Sequence, residues 1–224
     1  MTEQPYAKPE RGLSQAQRKR VTESQRYALM QHGYHPHSLL WSSKEVQELR
    51  FKVLADIGIS KGDSVLDVGC GFGDFANYLT KQDTPVKFTG IDVSEELLAE
   101  GRRQFPNIKL IHGDLFDLNP DAGRYDFVTL SGALNRKFDG AVDYTHQTIT
   151  EMFKACRKGI AFNLLNARHE WTKNRWDLQS FHPEEIIELV KTLSNDYEII
   201  EGYLENDFTV HVLKKYIKSA LKAY

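Results

Sequence analysis

The sequence predicts an α/β fold: a doubly wound, mostly parallel seven-stranded sheet with a C-terminal antiparallel hairpin, preceded by an N-terminal helical extension. Three observations lead there. From Ser64 onward, short apolar runs alternate with stretches of helical spacing, the pattern of parallel strands joined by crossover helices. The last two apolar runs are linked only by 204–207, too short for a crossover, so they must pair antiparallel. Before Ser64 there is no strand-like run, only polar helical pattern.

The elements follow in order. A polar helix over 14–31 has a weak apolar stripe through Val21, Tyr27 and Ala28 and carries Arg18, Lys19 and Arg20, read as a solvated face. Gly33-Tyr34-His35-Pro36 breaks it. Ser43 is placed as the N-cap of a helix over 44–57, which Gly58 ends. Strands are expected at 64–68, 87–92, 109–112, 125–131, 159–165, 197–203 and 208–213, and helices at 73–81, 95–105, 143–157 and 183–193. The chain divides into an extension or lid over 1–60 and an α/β body over 61–224, together one domain.

Composition narrows the function classes. Hydrophobic residues make up 41% of the chain, enough for a sizeable core. A net charge of −2 lacks the basic excess of proteins that grip nucleic acid, and Arg18–Arg20 is the only basic run. Cys70 and Cys156 form no C-x-x-C pair, so neither a disulfide framework nor a metal site is expected. Residues 1–12 are polar, with Pro5 and Pro9, and lack a signal-peptide core. No apolar run approaches a membrane span. A cytoplasmic enzyme is the expectation; oligomeric state stays open.

The most informative stretch is Val65-Leu66-Asp67-Val68-Gly69-Cys70-Gly71-Phe72-Gly73-Asp74. A buried strand runs into a glycine turn that opens a helix, where free N–H groups and positive φ let a ligand approach the backbone. A dinucleotide wants G-x-G-x-x-G for its pyrophosphate. Here the spacing is G-x-G-x-G, with Asp74 where the third glycine would fall. Its carboxylate, with that of Asp67, disfavours pyrophosphate and suits a cofactor bearing sulfonium and ammonium groups. The next strand ends at Asp92, where a carboxylate can accept from both ribose hydroxyls. The third ends His112-Gly113-Asp114-Leu115, offering Asp114 to an adenine amino group and the Leu115 N–H to the ring. The fourth ends Ser131-Gly132-Ala133-Leu134-Asn135.

These four stretches resemble the successive motifs of class I, Rossmann-like S-adenosylmethionine-dependent methyltransferases, over roughly 64–165. The resemblance implies S-adenosylmethionine as cofactor and S-adenosylhomocysteine as product. It implies that Asp67, Gly69, Gly71 and Gly73 hold the methionine end, with Cys70 beside them. Asp92 and neighbouring Val93 would hold the ribose, Asp114 and Leu115 the adenine, while Ser131 and Gly132 face the sulfonium. Trp41, in the extension, either packs on the cofactor or fills the core; Arg50 either pairs with the methionine carboxylate or is a surface arginine, the latter preferred.

The fourth strand does not read Asn-Pro-Pro-Tyr or Asp-Pro-Pro-Tyr, which disfavours amino-group methylation of nucleic acid or protein glutamine. Candidates for the acceptor pocket are Asn135, Asn163, Asn166, His169, Trp171, Trp176, Tyr203, Asp207 and Phe208, after the fourth strand, around the fifth and at the hairpin. Asn135 and Asn163 lead because they lie near strand ends. The expected activity is methyl transfer to a small molecule. The alternatives are an RNA- or protein-directed methyltransferase, an S-adenosylmethionine-using enzyme that cyclises or eliminates, and a nicotinamide-dependent oxidoreductase, against which Asp74 and the hairpin argue.

Overall fold

Each strand of the central sheet sends alternate side chains to opposite faces, and both faces are apolar. In β1 (Ser64–Val68), Leu66 and Val68 join one buried cluster and Val65 the other. In β4 (Tyr125–Ser131), Val128 and Leu130 face the first cluster and Phe127 the second. A period of two with both sets apolar requires helices on both sides. The second cluster is covered by α2 (Lys44–Ala55), α3 (Asp74–Lys81) and α4 (Glu95–Gln104), through Phe51, Leu54, Phe75, Leu79 and Leu98. The first is covered by α5 (Leu115–Leu118), α6 (Ala141–Ala155) and α8 (Pro183–Leu193), through Leu115, Ile149, Met152, Ile186 and Val190.

This computed structural model describes residues 11–214. Pro5, Pro9 and the outer ends of the spans 1–60 and 61–224 lie outside the described residues. The remaining elements are α1 (Gln15–His32), β2 (Lys87–Asp92), β3 (Lys109–His112), β5 (Cys156–Asn166), α7 (Glu170–Lys173), β6 (Ser180–Phe181), β7 (Tyr197–Ile200) and β8 (Asp207–Leu213). The sheet order is β3-β2-β1-β4-β5-β8-β7, with β6 paired to the end of β5. All pairs are parallel except β5 with β8 and β7 with β8. The doubly wound sheet and its terminal antiparallel hairpin are therefore present, with eight strands rather than seven. The additional strand has two residues, too few to leave a periodic signal.

Local chemistry sets several boundaries. Ser14 and Gln17 form a capping box at the start of α1, and the Ser43 hydroxyl accepts the Val46 N–H at the start of α2. The fifth strand begins three residues earlier than its apolar run suggested, because α6 passes into β5 at Cys156 without a loop. Because β5 and β8 run antiparallel, Asp207 pairs with Leu165, so the start of β8 meets the carboxyl ends of the parallel strands. Ligand crevices of open α/β sheets form at those ends.

A candidate cofactor and acceptor site

Gly69, Gly71 and Gly73 all have positive φ, 69°, 56° and 86°, and each sits under a close neighbour. A Cβ on Gly69 would lie 2.2 Å from the Ala133 Cβ, and one on Gly71 2.6 Å from Leu39 Cδ2. The turn is fixed to β2: Gly69 and Cys70 donate to the Ile91 carbonyl at 2.8 and 3.1 Å, and Gly71 donates to Asp92 Oδ2 at 2.8 Å. Ser94 N–H donates to Asp92 Oδ1 at 2.8 Å. Each Asp92 oxygen thus has one protein donor and capacity for another.

A cavity of about 490 Å³ opens over these strand ends. Trp41, Asp67, Gly69, Cys70, Gly71, Asp92, Val93, Asp114, Ser131 and Gly132 line it; Gly73 and Leu115 do not. Asp67 and Asp92 are buried, and burial pushes both carboxyls up. Asp67 rises to about 7: burial outweighs the hydrogen bond from Thr129 Oγ1, and neighbouring Asp92 and Asp74 add to the rise. Two buried carboxylates facing one cavity suit a ligand with hydroxyl donors and a cationic amine, as S-adenosylmethionine has. A pyrophosphate would set its negative charge against both.

Asp74 does not take part as the sequence suggested. It lies off the cavity and accepts from Tyr34 Oη at 2.6 Å and Gln47 Nε2 at 3.3 Å, tying the extension to the start of α3. Asp67 and Asp92, rather than Asp74, are the carboxylates that disfavour pyrophosphate in the cavity.

The extension roofs the cleft. Arg18, expected on a solvated face, donates through Nη2 to Asp114 Oδ2 at 2.9 Å and through Nη1 to Asp117 Oδ2 at 2.5 Å. Arg50, expected at the surface, is buried because its Nε donates to Asp207 Oδ2 across the sheet end. It also lines the cavity, and its guanidinium lies 4.3 Å from the centre of the Trp41 ring. Trp41 presses on the fourth-strand turn, its Cη2 standing 2.6 Å from where a Cβ on Gly132 would be.

Of the acceptor candidates, Asn135 and Trp171 line the cavity. Asn163 lies beneath the turn, 1% exposed, where Oδ1 accepts the Gly132 N–H at 2.9 Å and Nδ2 donates to Ser131 Oγ at 3.1 Å. Its place is support of the turn. Asp207 holds Arg50, Tyr203 Oη shares a hydrogen bond with Thr209 Oγ1, and Asn166 Nδ2 donates to Glu201. Phe208 is core, Trp176 is 80% exposed, and His169 Nε2 stands 3.8 Å from Glu205. None of these six lines the cavity. Sequence reasoning missed Gln25, Arg136, Phe138, Tyr144, Arg175, Asp177 and Leu178, which do line it. The signal for several of them was adjacency to Asn135 or a place within 167–182, a stretch rich in aromatic and polar residues.

Residues 65–159 match the family model described as a methyltransferase domain. Over that span, which is less than half of the 224 residues, the chain is similar to methyltransferase domains. The chain is 39% identical over 89 residues to the demethylmenaquinone methyltransferase of Staphylococcus aureus strain JH9. That alignment covers 38% of this chain and 37% of that enzyme, so the chain spans little more than a third of the curated relative's length. Among solved structures, a SAM dependent methyltransferase from Archaeoglobus fulgidus superposes with a TM-score of 0.61 at 13% identity, over 77% of this chain and 95% of that one. Magnesium protoporphyrin IX methyltransferase from Synechocystis PCC 6803, with bound SAH, gives 0.58 at 14% identity over 76% and 82%. These likenesses show the methyltransferase fold. The first of these structures is described as SAM dependent and the second holds SAH, and the charge and capacity of Asp67 and Asp92 suit S-adenosylmethionine as cofactor.

Proposed function

We propose that the chain transfers the methyl group of S-adenosylmethionine to a small-molecule acceptor held beyond the 131–135 turn. One observation carries this reading: a single cavity joins the cofactor-side carboxylates Asp67 and Asp92 to the side chains Asn135 and Trp171, under a roof made by the extension. The cofactor, when bound, supplies an electrophilic methyl group. Asp92 is placed to accept from the ribose hydroxyls, and Asp67 to face the methionine ammonium. Arg50, fixed through Nε by Asp207, has its remaining donors for the methionine carboxylate. The 131–132 turn, held by Asn163, lines the passage between the two ends. These groups orient the reactants and keep water out, which is what in-line displacement requires.

A roofed cavity suits a small acceptor. The curated relative's name also denotes a small-molecule methyltransferase, although its match covers only part of each chain. The basic run gives little support to an RNA substrate, since Arg18 is committed to Asp114 and Asp117. The test is direct. The protein is given S-adenosylmethionine and a small-molecule extract, and products are resolved by mass spectrometry. S-adenosylhomocysteine together with a product heavier by one methylene supports the reading. Methylthioadenosine, or turnover only with RNA or protein, removes it.

A further inference from the structure

The acceptor end of the cavity contains a charge arrangement that the methyl-transfer reading does not explain. Backbone bonds zip the segment after β4 onto the stretch before β6: Lys137 N–H donates to the Asp177 carbonyl at 3.1 Å, and Gln179 N–H to the Asn135 carbonyl at 3.0 Å. Arg136 pairs with Leu178 in an isolated antiparallel bridge between them. Three charged side chains, Arg136, Arg175 and Asp177, are thereby collected on one wall. Arg175 takes Asp177 in a two-bond fork, Nε to Oδ1 at 2.7 Å and Nη2 to Oδ2 at 2.8 Å. Arg136 reaches the same carboxylate only at 3.8 Å, and its other contact is the neutral hydroxyl of Ser24 on α1.

Two guanidinium groups therefore share one carboxylate, leaving a net positive charge on the wall. Arg136 carries the larger share, because Arg175 holds Asp177 through two bonds at 2.7 and 2.8 Å while Arg136 stands 3.8 Å from it. Burial, with Arg175 nearby, holds the Arg136 pKa below its ordinary value, and Asp177 only partly opposes this. A half-buried cation without its own counter-ion is costly unless a ligand supplies one. Beside it, Phe138 and Leu178 give an apolar wall. Two buried amide oxygens, Asn135 Oδ1 and Gln25 Oε1, have no hydrogen-bond partner among the described residues. They follow or precede the residues that touch: Gln25 adjoins Ser24, and Asn135 adjoins Arg136.

We infer that the acceptor is a small carboxylic acid with an apolar or aromatic body, its carboxylate paired with Arg136 and an O–H or N–H donor turned to Asn135 or Gln25. This deepens the proposed function and rests on it for the role of the bound acid.

The experiment uses the full chain with S-adenosylhomocysteine and two matched probe pairs: benzoate with benzamide, and 3-phenylpropionate with 3-phenylpropionamide. Binding is followed by ligand-observed NMR, and S-adenosylhomocysteine affinity by calorimetry. The expected result is that each acid binds at least fivefold tighter than its amide. Arg136→Gln should bring the acids to the level of the amides while S-adenosylhomocysteine affinity stays within twofold. Equal binding of acid and amide, or no binding of either, overturns the inference, as does acid binding that Arg136→Gln leaves intact. Phenyl phosphate tests the other source of an anion: if it outbinds both acids through Arg136, the carboxylate assignment fails. Should Arg136→Gln not fold, the acid–amide comparison on the unaltered protein decides. Loss of S-adenosylhomocysteine binding sinks the cofactor reading instead, and the acid–amide comparison without it still reads the Arg136 wall.

Discussion

Arg18 and Asp114, 96 residues apart, meet through Nη2 and Oδ2 at 2.9 Å and pin α1 to the end of β3. Asp114 Oδ2 also accepts the Leu13 N–H, and Oδ1 accepts from Phe116 and Asp117 N–H. Four donors fill a carboxylate's capacity. For Asp114 to read an adenine amino group, as the family resemblance implies, one of them must let go. Arg18→Ala is expected to cost about 1.5–3 kcal/mol, the range for hydrogen bonds to charged groups, and to speed amide exchange across α1. S-adenosylhomocysteine affinity should hold or rise. A fall in both stability and affinity would show that Arg18 serves the cofactor rather than competing for Asp114.

Asp67 predicts a pH dependence. Its ordinary value is 3.8, and burial raises it to about 7 in the fold. A raised carboxyl is an expense of folding at high pH: the penalty is absent below the unfolded value, grows as pH rises and levels off above the folded one. Between about pH 4 and 7, the protein should therefore lose stability relative to Asp67→Asn. Ionised Asp67 attracts an ammonium, so S-adenosylhomocysteine affinity should rise from about pH 6 to 8 and flatten in the variant. Denaturant titrations and calorimetry across that range check both; parallel curves for the two proteins would count against it.

The glycine turn separates sterics from backbone strain. Gly69→Ala places a methyl group 2.2 Å from Ala133 Cβ at a φ of 69°. The expected outcome is a loss of about 2–4 kcal/mol, combining overpacking with the left-handed cost, and weakened cofactor binding. Adding Ala133→Gly removes the clash but keeps the φ. It should recover part of the loss and leave about 1–2 kcal/mol. Full recovery, or none, would contradict this division.

Arg50 and Asp207 form a pair with side chains 7% and 1% exposed. Asp207→Ala leaves the guanidinium buried without its partner and should cost about 3–5 kcal/mol. Arg50→Met with Asp207→Leu should cost much less, while cofactor binding is lost in both. Melting curves and S-adenosylhomocysteine titration of the two proteins check this.

The part of the cavity around the glycine turn was legible because its residues are local in sequence. Strand, glycine turn, helix and the next strand end are contiguous, so Asp67, Gly69, Gly71 and Asp92 announce one another. Residues whose role depends on a distant partner were not. Arg18 and Arg50 look like ordinary helix-surface cations until Asp114 and Asp207 are brought to them. Asn163 is near a strand end as expected, but alternation along β5 turns it under the 131–132 turn rather than into the cavity. Arg136, Arg175 and Asp177 belong to irregular segments without periodicity, and only the backbone zipper between 135–137 and 177–179 assembles them.

The Arg50–Asp207 contact joins positions separated by 157 residues. On the ribosome, Arg50 is made long before its partner, so a nascent chain that has completed every parallel strand still holds a cation with nowhere to neutralise it. The Arg50–Asp207 pair, and with it the proposed hold on the methionine carboxylate, forms only when the final hairpin is released. Nascent chains stopped before residue 207 should carry the whole glycine turn and yet fail to retain S-adenosylhomocysteine, making ligand capture a late event in the protein's biogenesis.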